Sequence, residues 1–260
     1  IYFDKKPERK KTEISLGSRT ESTIRTLITN AYRCGYDIIK VSYANEKMFE
    51  TLHHIVKTRL IGFDVTRKGE GWCIVEIITE PSERQFENIL EKFFLSVKTL
   101  VKTTEKRCRN PEAISFNEIE ATQERIQSYD NFCRRIMNKQ EQLDGKKQFC
   151  WAFLALMIHG ERELYHANKV LKRGVKIGKE CDELLAGIRD LVESLEKAYK
   201  KKDITVIERI HKQEKELIYT KGYSLLRKKS GEGAIVLYHL LASIRQFYQA
   251  NSPLTGMIIG

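Results

Sequence analysis

Apolar residues recur along this chain with two different periods, and the change falls near residue 80. Ahead of it, short β-type runs alternate with helical ones. Thr12 to Leu16 reads as a strand, Glu21 to Cys34 as a helix, Tyr36 to Tyr43 as a strand carrying Ile38, Ile39 and Val41, and Glu46 to Arg59 as a second helix. Strands at Gly62 to Arg67 and Trp72 to Ile78 follow, joined by Lys68-Gly69-Glu70-Gly71, whose glycines suit the positive φ of a tight hairpin. Gly35 stands where a left-handed residue is expected to end the first helix. The order β-α-β-α-β-β predicts a small α/β sandwich with a mixed sheet over residues 12–80.

From Pro81 the period lengthens. Ser82 to Arg107 places Phe86, Ile89, Leu90, Phe93, Phe94, Val97, Leu100 and Val101 on one face, a helix opened by Pro81-Ser82 and broken by Asn110-Pro111. Helices are expected at Ser115 to Lys139 and Lys147 to Arg173. After Gly174 and Gly178 come three more, at Glu180 to Lys201, Ile204 to Arg227 and Glu232 to Ala250. Residues 81–260 therefore read as a mainly α domain of two three-helix repeats, about 81–173 and 178–250. The fold class expected for the whole chain is α+β.

The apolar pattern fails at one place that matters. Leu154, Met157, Glu161, Leu164, Asn168 and Leu171 share a helical stripe, so a carboxylate sits where a Leu is expected. A buried charge without compensation costs several kcal/mol. Glu161 therefore needs a cation, an arginine or a hydrogen-bond network, and Arg134, Arg135 and Arg245 are the arginines singled out for a charge network with it. Glu124 and Glu214 interrupt other stripes at similar depths. These carboxylates with His159, His166 or His239 could hold one ion. The Asp130 to Arg134 pair, at i, i+4, reads as a surface contact worth about 0.3–0.5 kcal/mol.

The two helical triplets with their acidic interruptions resemble the PhoU family of phosphate-signalling regulators. Glu161-Arg162-Glu163-Leu164-Tyr165-His166-Ala167 is similar to the family's E-R-x-G-D-x-A run. Tyr32-Arg33-Cys34-Gly35-Tyr36-Asp37-Ile38-Ile39 and Leu60-Ile61-Gly62-Phe63-Asp64-Val65 resemble the α/β segment of archaeal members. Those members open with a DNA-binding AbrB-like (SpoVT/AbrB) domain, of which residues 1–11 would be the end and linker. The resemblance implies a non-enzymatic regulator of phosphate uptake that contacts the transporter ATPase or a sensor kinase, binds DNA through the N-terminal domain largely missing here, and forms a homodimer. It also implies metal bridged by E-x-x-x-D pairs. Here the first acids Glu124, Glu161 and Glu214 are followed four residues on by Ser128, Tyr165 and Ile218. No iron cluster is therefore expected, and at most a single metal ion.

Composition adds limits. Against 35 Asp plus Glu the chain carries 46 Lys plus Arg, a formal net charge of +11, which favours acidic partners. Its six cysteines form no C-x-x-C pair and read as buried free thiols of a reducing, cytoplasmic compartment. No apolar run approaches the ~20 residues of a membrane span. Nucleotide-binding and hydrolase motifs are absent, so no enzyme is expected. Two alternatives remain: a small-ligand sensor using a cleft with Trp72, Tyr43, Arg59 and Arg67, and a helical scaffold without ligand.

Overall fold

A computed structural model describes residues 9–79, 84–139, 145–175 and 177–259. Residues 1–8 of the expected N-terminal segment and the Pro81-Ser82 helix start lie outside the described residues. The fold is α+β, a four-stranded sheet in the N-terminal part followed by a mostly helical region. The chain divides into two compact units, residues 1–90 with 128–142, and residues 91–127 with 143–260.

In the first unit the elements run β1 (Lys11–Ser15), α1 (Glu21–Arg33), β2 (Ile38–Ser42), α2 (Glu46–Arg59), β3 (Phe63–Gly69) and β4 (Trp72–Ile77). The sheet order is β1-β2-β4-β3, with β1 parallel to β2 and β4 antiparallel to both β2 and β3. β4 thus inserts between the two strands that α2 connects. Alternation explains the layering: Ile39, Val41, Cys73, Val75 and Ile77 form one core with Ile24, Ile28 and Tyr32 of α1 and Leu52, Ile55 and Val56 of α2. On the other face Glu13, Lys40, Ile74 and Arg67 lie in one cross-strand row, and the charged edges discourage further strand pairing. Gly35 is left-handed, at φ 81°. The hairpin glycines divide their work: Gly71 takes φ 71°, whereas a Cβ on Gly69 would come within 2.4 Å of the Trp72 indole. Gly69 supplies space and not a turn conformation.

Long helices follow: α3 (Arg84–Arg109), α4 (Phe116–Lys139), α5 (Lys147–Leu171), α6 (Asp182–Lys201), α7 (Thr205–Lys215), α8 (Tyr223–Lys228), α9 (Gly231–Gln249) and α10 (Asn251–Ile259). Two features depart from the sequence pattern. The expected helix from Ile204 to Arg227 is interrupted by a π-helical segment, Glu216–Gly222. There a Cβ on Gly222 would stand 2.8 Å from the Leu217 carbonyl oxygen and 2.3 Å from the Leu241 side chain, so glycine permits both the wide turn and the approach of α9. The last helix, α10, follows Ala250, where the expected helices end. Pro253 sits in the first turn, where no N–H partner is required.

Charge sets the pairing of α3 with α6. Glu91, Lys98, Glu105 and Arg109 meet Lys200, Glu196, Arg189 and Asp182 at 3.1, 2.5, 3.0 and 3.1 Å respectively. The rising numbers on α3 meet falling numbers on α6, so the helices are antiparallel, and alternating sign at near-heptad spacing disfavours a slipped register. Glu196→Lys is expected to cost about 1–2 kcal/mol in urea unfolding, above the ~0–1 kcal/mol of an exposed pair, because Lys98 and Lys200 then repel it. The loss should shrink in high salt; a salt-independent loss would point to packing instead.

Candidate functional site

The expected stripe of α5 is buried in full: Leu154, Met157, Glu161, Leu164, Asn168 and Leu171 are all 0% exposed. Its two polar members meet polar partners from neighbouring helices. Glu161 accepts a hydrogen bond from Gln127 Nε2 at 3.3 Å, and Asn168 Nδ2 donates to Thr104 Oγ1 at 2.7 Å and to the Leu164 carbonyl at 2.9 Å. A polar track therefore crosses the apolar core, and α3, α4 and α5 each contribute to it. Such pairing offsets much of what burying these groups costs.

The arginines expected to join Glu161 have other bonds. Arg134 Nε donates to Asp130 at 2.8 Å. Arg135, fully buried, donates to the carbonyls of Tyr32 and Tyr36 at 3.0 and 2.7 Å and to the Asp37 carboxylate, with its guanidinium over the rings of Tyr32 and Phe63. Arg245 is exposed and donates to Tyr223 Oη at 3.2 Å. The Asp130 to Arg134 pair is no surface contact: Asp130 is 0% and Arg134 4% exposed, and Asp130 also accepts from Arg33 at 2.8 Å. Spacing alone showed the pair and could not show its burial.

These bonds form a clamp inside the first unit, where the C-terminal half of α4 meets the end of α1 and the start of β2. Asn131 accepts a hydrogen bond from Arg33 Nε and donates one to the Arg59 carbonyl, and Lys139 reaches Asp37 at 2.7 Å. Burial by itself raises the Asp37 pKa. Hydrogen bonds from Lys139 and the Lys10 N–H, with the charges of Lys139 and Arg135, more than offset it and leave the carboxyl below its ordinary value.

Of the acids singled out, Glu124 is half-buried on α4 and Glu214 is buried on α7. The positions opposite them in the motifs are occupied by packing groups: Ser128 and Ile218 are buried, and Tyr165 lies 5.7 Å from the Phe116 ring. Among the described residues no three His, Cys, Asp or Glu side chains form a group able to hold a metal ion. The residues named for a small-ligand cleft do not all share one face of the sheet. Tyr43 lies in the core with its hydroxyl directed at the Gly69 and Trp72 carbonyls, whereas Trp72 and Arg67 stand on the opposite face of the sheet. Cys34 is exposed, contrary to expectation, and the other five thiols are buried. Among the described residues no helix is long and apolar enough to cross a membrane.

The histidines separate. His159 is exposed, but His166 and His239 meet, with ring centres 5.5 Å apart, and His239 Nδ1 lies 2.7 Å from Glu163 Oε2. The spacing Glu163-x-x-His166 is legible in the sequence; the approach of His239 from another helix is not. Burial, then the neighbouring His239, holds the His166 pKa below its ordinary value. The unfolded chain therefore binds that proton more readily, so the contribution is present above pH ~6.5 and is lost as pH falls through the lower folded value. Urea midpoints should drop on acidification below pH ~6.5, and less steeply in His166→Asn; an identical slope in the variant contradicts this.

Compared with family models, with curated proteins and with solved structures, the chain finds no match.

Proposed function

We propose that the chain is a non-catalytic regulator of the PhoU-like kind, which acts in phosphate homeostasis by contacting other proteins and, through an N-terminal DNA-binding domain, on transcription. The observation that carries the reading is the order of elements: an α/β unit with a four-stranded mixed sheet, then successive long helices whose apolar stripe is interrupted by the buried Glu161. The buried carboxylates support a binding role. Asp37 is held by Arg135 and Lys139 and Glu161 by Gln127, arrangements that fix side chains within the fold. The excess of basic residues suits an acidic partner surface.

The test is direct binding of the immobilised full chain to the phosphate-transporter ATPase and to the phosphate sensor kinase of the same organism. Saturable binding to either, weakened by salt, is the expected result. Failure of both proteins to bind overturns the protein-contact reading.

A further inference from the structure

The seam between α5 and α9 places two imidazoles and a carboxylate together. Its register is fixed by Gly160, whose missing side chain leaves room for the Phe247 ring: a Cβ there would stand 2.6 Å away. Ser243 Oγ donates to the Gly160 carbonyl at 3.0 Å, and nearer the other end Arg173 pairs with Glu232 at 2.8 Å. Between these points Glu163 and His166, three residues apart and so on one face of α5, flank His239 of α9.

We propose that His166 and His239 bind one late first-row transition-metal ion, of the Zn2+, Ni2+ and Cu2+ class, with Glu163 as the positioning residue. Ionised Glu163 can only accept a hydrogen bond, so Nδ1 of His239 carries the proton and Nε2 keeps its lone pair for a ligand. A carboxylate on the far nitrogen is how metal-binding histidines are commonly oriented and made more basic. The two ring centres are 5.5 Å apart and the planes are inclined by 33°, a separation at which two imidazoles can share one ion with Zn–N bonds of ~2.0–2.1 Å. Both rings are half-buried, which leaves a path for the ion and for the waters that complete its coordination. Imidazole nitrogen selects against Mg2+ and Ca2+, which take oxygen ligands. The site is distinct from Glu124, Glu161 and Glu214 and does not depend on the phosphate reading.

The experiment is titration of the chelator-stripped full chain with Ni2+ and Zn2+ at pH 7.5, with Mg2+ as reference. One equivalent of Ni2+ should bind. Glu163→Gln should weaken binding by about 10–100-fold, and His166→Asn or His239→Asn by more than about 10-fold. His159→Asn should leave it unchanged. Equal binding by the chain and by the His166→Asn, His239→Asn double variant overturns the proposal, as does equal affinity for Mg2+. Should the variants not fold, line broadening by Ni2+ in the unaltered chain decides. His166 and His239 imidazole signals should broaden before those of the other histidines, and earlier broadening of His53 and His54 overturns it.

Discussion

An Arg135→Ala variant is expected to lose about 3–5 kcal/mol of unfolding free energy, read as a lower urea midpoint at unchanged slope. Arg135 is fully buried, and its loss leaves the Tyr32 and Tyr36 carbonyls without that donor and the buried Asp37 carboxylate dependent on Lys139 and the Lys10 N–H. Breaking one side of a buried pair costs more than the pair contributes, because the remaining charge stays desolvated. The cycle with Asp37→Asn should therefore be strongly non-additive, with the double variant losing much less than the sum of the single ones. Asp37 also gives the clamp an acid limit. Its folded pKa is depressed, so its contribution is present above the unfolded value of ~3.9 and is lost as pH falls through the lower folded one. Additive losses in the cycle would show that Arg135 stabilises through its contacts with Tyr32 and Phe63 alone.

Gly160→Leu should cost about 3 kcal/mol, at the upper end for overpacking. A leucine regains about 1 kcal/mol of helix propensity relative to glycine, so the steric loss has to exceed that gain. It does so because the added carbons meet the ring of Phe247, which is 0% exposed and has no free volume to move into. Phe247→Ala in the same chain should recover part of the loss, since the leucine then occupies the vacated space. No recovery would mean that α5 and α9 are held apart by something other than this contact. The same substitution should weaken Ni2+ binding at His166 and His239, which depend on the same seam.

The helical stripes, the order of elements along the chain and the burial of Glu161 were legible from periodicity, because apolar burial is what periodicity records, and Gly35 from its place at a helix end. The polar clamp was not. Asp130, Asn131, Arg134 and Arg135 are buried on α4, whereas the spacing of Asp130 and Arg134 reads in sequence as a surface pair. Hydrogen bonding and pairing can make such a face a packing surface, and no period distinguishes the two cases. The π-helical turn at Glu216–Gly222 escaped because a 3.6-residue period was carried straight through it. For α10, the position of Pro253 within the first turn mattered more than its presence. At the candidate site, Glu161 was found by its conflict with the stripe. The Arg134 bond to Asp130 is visible in the spacing, whereas the Arg135 bond to Asp37 joins residues that only the folded chain brings together.

The regulatory reading is tested most directly by phosphate uptake, together with transcripts of the uptake genes, in cells that lack this chain and are grown in abundant phosphate. The account predicts that uptake and transcripts rise well above those of the parent and return when the chain is restored. Uptake and transcripts that match the parent at both high and low phosphate would contradict it.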